Sequence, residues 1–201
     1  MICRWLLLAL GLALLAGCAR VPSGAPVAWP AHRAAMAALE EWRFEGKLGY
    51  HSAQDAGSAR LTWAQRGPWT EVSLSGPFGA GSAHIQAGPQ SAVLRQPGRA
   101  DRHADSAEAL SREVFGWVLP ARELRDWVRG IPFRGAPVQH IAFDGQGRLG
   151  ELRQNGWALA FADYRETAAG FLPGRIDADD GQLRLRLVIK NWQVAPPGVQ
   201  P

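Results

Sequence analysis

The chain has 201 residues, of which 47% are hydrophobic and 20% charged, with a formal net charge of +4 at neutral pH. That length and balance fit one globular domain with a real core, and the thinly spread Lys and Arg exclude a nucleic-acid footprint. The only two cysteines, Cys3 and Cys18, sit at the extreme N-terminus, which excludes disulfides, thiol nucleophiles and thiolate metal sites from the folded body.

Arg4 precedes an apolar run from Trp5 to Leu14 that closes on Leu15-Ala16-Gly17-Cys18. This is the layout of a secretory signal. A cysteine directly after the small residues makes it the pattern of a bacterial lipoprotein. Residues 1–17 are expected to be removed, leaving Cys18 as the acylated first residue. A membrane span needs about 20 apolar residues, and the run from Trp5 to Gly17 is too short. Residues 18–30, rich in Pro, Ala and Gly, read as the lipidated end and a flexible tether. The folded domain is expected over 31–194, and 195–201 as a disordered tail.

An alanine-rich helix is expected over 31–41, after which the period switches to two. In 42–51, Trp42, Phe44, Gly46, Leu48 and Tyr50 alternate with polar partners, as in a strand with one wet face. Further strands are expected over 58–65, 69–75, 80–87, 91–96 and 100–103. Asp105 or Ser106 then caps a helix ending near Gly116, and Pro120 opens a second helix over 121–129. In that helix Leu124, Trp127 and Val128 form the apolar face, while Glu123, Arg125, Asp126 and Arg129 take the wet one. Strands return over 138–143, 148–154, 157–164, 174–178 and 182–192, with Asn155-Gly156 the strongest tight-turn signal. About ten or eleven short antiparallel strands around a helical insertion predict a mainly β fold, a single curved sheet partly closed on itself with helices over its concave face.

Catalytic readings find little support. His32, His51, His84, His103 and His140 are scattered, with no metal-ligand spacing, and there is no Gly-x-Ser-x-Gly elbow. The chain is therefore not expected to be an enzyme. Apolar strand faces together with Trp63, Trp69, Trp117 and Trp127 are instead the parts of an apolar ligand pocket. The sharpest local oddity is Gly76-Pro77-Phe78-Gly79, a turn whose tip is aromatic rather than polar. Phe78 either folds back into the core or stays exposed and dips into a bilayer or acyl chain.

Several pieces in order resemble the LolB family: Phe44-Glu45-Gly46-Lys47-Leu48, Leu61-Thr62-Trp63, Leu74-Ser75-Gly76-Pro77-Phe78-Gly79 and Leu119-Pro120. The likeness continues through Leu124-Arg125-Asp126-Trp127-Val128-Arg129-Gly130, Gln154-Asn155-Gly156-Trp157, Leu172-Pro173 and Ile189-Lys190-Asn191-Trp192. The resemblance implies an unclosed antiparallel β-barrel of about 11 strands with a helical lid over an apolar cavity. The cargo would be the acyl chains of lipoproteins, received from a LolA-like periplasmic carrier and delivered to the outer-membrane bilayer by a monomer without cofactor or metal. Ala19, where an acidic residue favours inner-membrane retention in enterobacterial-type lipoproteins, points the same way.

On this reading the lid turns Leu110, Val114, Leu124, Trp127 and Val128 inward, with Trp117 beside them. Leu61, Trp63, Leu185 and Leu187 line the hollow from the strands. Pro77, Phe78 and Gly79 form the membrane-insertion loop, where relatives often show Leu at the tip. The rival expectation is an assembly lipoprotein that docks other envelope proteins along its sheet edges.

Overall fold

The computed structural model describes residues 28–76 and 81–194, without the side chains of residues 114 and 115. The signal, Cys18, most of the tether, Pro77, Phe78, Gly79 and the 195–201 tail lie outside the described residues, as does the side chain of Val114.

Helix α1 (Trp29–Ala38) is followed by six strands in a meander: β1 (Glu41–Ser52), β2 (Ala56–Arg66), β3 (Trp69–Ser75), β4 (Ala83–Ala87), β5 (Ala92–Arg95) and β6 (Arg102–Ala104). Helices α2 (Ala107–Phe115) and α3 (Ala121–Trp127) interrupt the strands. The chain resumes as β7 (Val138–Phe143), β8 (Leu149–Gln154), β9 (Trp157–Ala162), a small hairpin of β10 (Arg165–Thr167) and β11 (Gly170–Leu172), then β12 (Arg175–Asp179) and β13 (Leu183–Val194).

Eleven strands form one antiparallel sheet in the order β6-β5-β4-β3-β2-β1-β13-β12-β9-β8-β7. The two longest strands, β1 and β13, pair at its centre, so the free edges are β6 and β7, the strands flanking the helical insertion. The barrel is thus unclosed where the helices intervene.

Strict alternation in β1 and in the first half of β13 buries one face of each strand and leaves the other in water. Four aromatic side chains of the buried face (Trp42, Phe44, Trp63 and Trp192) pack with ring centroids 5.0–6.0 Å apart across β1, β2 and β13. Gly46 lies at a register shift between β1 and β13, where an added Cβ would stand 2.3 Å from the Val188 carbonyl oxygen. Only glycine fits there, which explains an apparent gap in the apolar alternation.

The Asn155-Gly156 turn holds both residues at positive φ (52° and 83°), the requirement of a two-residue hairpin between β8 and β9. Ser106 caps α2 by accepting from the Ala109 N–H at 3.2 Å, and Gly116 closes it.

Several expectations shift. The first helix starts at Trp29, which was read as tether but is buried against the Phe143 ring at 4.9 Å, and it ends at Ala38, because the chain must extend to pair Glu41 with Arg66. The strand expected over 157–164 stops at Ala162, since Asp163 takes a positive φ of 56°. The β10–β11 hairpin had no period long enough to read. Trp69, expected in a pocket, is 60% exposed on the outer face, where its ring covers Gly88. Asp126 and Arg129, assigned to the wet face of α3 and its continuation, are only 2% and 3% exposed, because α1 packs against that side.

Candidate functional site

The inward faces of five strands and the helical segment meet around an apolar hollow. Of the residues expected there, Leu61 and Trp63 (β2), Leu124 (α3), and Leu185 and Leu187 (β13) line it together. Leu48, Val72, Leu74, Leu119, Ile176 and Ala178 complete the wall. Leu48 belongs to the apolar face of the first strand, which was expected at the hollow. Strand alternation turns Val72, Leu74, Ile176 and Ala178 inward once the register is known, and Leu119 comes from the connection between α2 and α3, but these five were not expected there. Every lining side chain is apolar apart from the Trp63 indole N–H, which is directed to Gln65 Oε1 at 3.4 Å.

The other expected residues sit elsewhere. Leu110, Trp127 and Val128 are fully buried but are not among the lining residues. Trp127 packs beside Trp157, with ring centroids 6.1 Å apart. Trp117 is half-buried against the Tyr50 ring at 5.4 Å.

The free volume inside is about 20 Å³, room for about one water molecule, and an apolar void of that kind stays dry. A hydrocarbon tail enters only if the walls part. The strand side is a continuous hydrogen-bonded ladder, whereas the helical side belongs to no ladder.

Side-chain bonds hold that helical side. Gln154, fully buried at the end of β8, accepts from the Trp127 indole at 3.0 Å and from the Phe133 N–H at 2.8 Å. Its amide nitrogen donates to the Phe133 and Ala136 carbonyls, both at 2.8 Å. The Asn155 amide donates to Glu123 Oε1 at 2.7 Å, and Ser111 Oγ receives the Leu119 N–H at 2.9 Å. Just past α3, Arg129 pairs with Asp126 and reaches the carbonyls at the end of α1. Burial pulls the Arg129 pKa below the ordinary arginine value, while the Asp126 carboxylate pulls it back up.

A wider surface hollow, about 550 Å³, lies on the outer face instead. Charged side chains such as Glu151, Arg153, Asp177 and Arg184 flank its floor of Ala158 and Ala160, a poor setting for hydrocarbon. Among the described residues, no three His, Cys, Asp or Glu side chains gather as a metal site, and no helix is long and apolar enough to cross a membrane.

Residues 40–192 match the family model described as outer membrane lipoprotein LolB. The outer-membrane lipoprotein LolB of Cellvibrio japonicus is 39% identical over 168 residues, covering 82% of this chain and 83% of the relative. That of Pseudomonas putida is 37% identical over 189 residues, covering 90% and 92%. Among solved structures, a LolA superfamily protein from Nitrosomonas europaea superposes with a TM-score of 0.52 at 10% identity, over 79% of this chain and 87% of its own, and so shares the fold. With the family model spanning three quarters of its length and such relatives over most of it, the chain belongs to the LolB family.

Proposed function

We propose that this chain is an outer-membrane lipoprotein that receives acylated proteins from a LolA-like periplasmic carrier and inserts them into the outer membrane. The acyl chains of the cargo occupy the hollow between the sheet and α3. The observation that carries this reading is the apolar lining, closed on one side by α3 and the connection before it, which belong to no ladder. In this role α2 and α3 act as a lid.

The chemistry needs no bond to be made or broken. Each methylene held in water costs about 0.8 kcal/mol, so acyl chains must pass from one apolar enclosure to another. Handover proceeds without nucleotide when this hollow binds them better than the carrier does and the bilayer binds them better still. A triacylated Cys18 holds the protein at the membrane, since more than one inserted chain gives stable anchoring. The Phe78 tip, on its Pro77 and Gly79 shoulders, enters the bilayer and brings cargo to the hydrocarbon.

A docking scaffold would need a usable sheet edge. Here β6 has three residues, and β7 carries register shifts near both ends, so both edges are poor templates for strand addition.

The test mixes the purified lipidated chain with carrier loaded with acylated cargo, without ATP. Cargo should move to the chain, and from there into vesicles; cargo that stays on the carrier overturns the reading. Phe78→Glu should keep uptake and lose delivery. Loss of folding in that variant would instead place Phe78 in the core.

A further inference from the structure

The outer face carries a second hollow, about 480 Å³, spanning β2 to β5. Arg60, Ser73, Ser75, Ser82, His84 and Arg95 line it. Part of this polar capacity is already engaged. Ser73 Oγ lies 2.9 Å from His84 Nδ1, His84 Nε2 lies 3.3 Å from Glu71, and Arg95 is held by Gln86 and Asp101. Arg60, Ser75 and Ser82 have no side-chain hydrogen bond or ion pair among the described residues.

The sheet register adds a second observation. Arg60 stands opposite Lys47 on β1 and opposite Ser75 on β3. Direct cross-strand neighbours have Cβ atoms about 5 Å apart, and like charges at that spacing repel. Glu45, the nearest acid on the same face of β1, lies 4.0 Å from Arg43. No carboxylate among the described residues therefore pairs with Lys47 or Arg60. An oxyanion from outside the chain would offset their repulsion, and the Ser75 and Ser82 hydroxyls could share its oxygens.

Position decides which anion. Ser75 and Ser82 bracket the segment that carries Phe78. Three residues of chain span at most about 10 Å, and the headgroup layer on each side of the hydrocarbon is roughly 5–7 Å deep. With the tip at the hydrocarbon boundary, Ser75 at the rim of the hollow stays within reach of the headgroup layer.

We propose that the outer-face hollow lined by Arg60, with Lys47 opposite it on the neighbouring strand β1, binds the phosphodiester groups of bilayer phospholipids and so orients the protein with its loop tip toward the membrane. This rests on the reading that the Phe78 tip enters the bilayer.

The test uses the full lipidated chain in phosphatidylcholine vesicles containing about 30% phosphatidylglycerol, with spin-labelled headgroups. Acylation of Cys18 and loss of Cys3 leave no free thiol, so Ser58→Cys, two residues from Arg60 on the same face of β2, accepts a single fluorophore. Headgroup quenching of that probe should fall about tenfold in Lys47→Gln/Arg60→Gln. It should persist in Arg33→Gln/Arg153→Gln, which removes the same charge from exposed positions elsewhere. Equal loss in both double variants, or loss in neither, overturns the site. Relief of quenching by micromolar inorganic phosphate assigns the hollow to free phosphate and overturns the bilayer as its source. Cargo uptake on the same preparations reports the acceptor reading separately. If uptake fails while site-specific quenching persists, that reading falls and the headgroup site stands.

Discussion

The Arg129 guanidinium donates to the Met36 carbonyl at 2.7 Å, across 93 residues of sequence, and to the Leu39 carbonyl at 3.0 Å. Helix C-termini leave carbonyls without partners, and here one buried arginine satisfies those of α1 while pairing with Asp126. The helix that leads from the membrane tether is thereby fastened to the segment that follows α3, beside the apolar hollow.

Removing that fastening should be expensive. Arg129→Met strands the Asp126 carboxylate in a buried setting, and loss of one partner of a buried pair costs about 3–5 kcal/mol. Arg129→Lys keeps the charge but not the fork that reaches several carbonyls at once, so it should recover only part of the loss. Urea unfolding monitored by Trp emission measures both. If Arg129→Met unfolds like the wild type, the fastening contributes nothing to stability.

Gly46→Ala should weaken the central seam of the sheet. Its Cβ would meet the Val188 carbonyl oxygen at 2.3 Å, so β1 and β13 must shift apart at the bulge. A forced methyl of this kind costs about 1–3 kcal/mol, read as a lower midpoint in denaturant. Gly49→Ala, where the nearest atom would be 3.8 Å away, is the matched control and should change little.

Leu124→Ala separates a binding hollow from an ordinary core. Truncating a buried leucine costs about 2–5 kcal/mol of stability, and both readings share that loss. If the hollow takes acyl chains, the vacated space spares the ligand part of the work of opening the walls, so a fatty-acyl probe should bind more tightly. Titration followed by Trp emission gives the answer. Weaker or unchanged binding would place Leu124 outside the acyl path.

His32 should make stability depend on pH. It lies in α1 beside the Trp29 ring at 5.8 Å, and burial lowers its pKa from the ordinary 6.5. Above pH 6.5 the folded and unfolded chains both hold it neutral, and its contribution is intact. Below that value the unfolded chain takes up the proton first, so stability falls as pH drops toward the lowered folded value. His32→Leu should lose less stability than the wild type between about pH 7 and pH 5.5. Parallel losses in the two proteins would rule His32 out.

Periodicity, caps and turn residues were enough to read most of the elements, because each is a local property. Alternation through 42–51 located β1, the Asp105-Ser106 pair and Gly116 bounded α2, and Asn155-Gly156 marked the tight turn before β9. The order of motifs also carried the family. What stayed hidden depends on neighbours distant in sequence. Helical phase placed Asp126 and Arg129 on a wet face, since no local rule announces that α1 will cover them. Trp69 looked like pocket material for its size alone, yet strand parity turned it outward.

Local patterning placed most of the strands, helices and turns and showed that the chain has an apolar inner face to bury. That β1 and β13 meet at the centre of the sheet, leaving β6 and β7 as the edges beside the helices, emerges only from the folded arrangement. That pairing brings Leu48, Ile176 and Ala178 around the same hollow as Leu61 and Leu185. The reason is physical. Side-chain direction repeats within a few residues and is written locally, whereas the choice of strand partner is a competition among segments far apart in the chain, settled by which packing buries the most apolar surface.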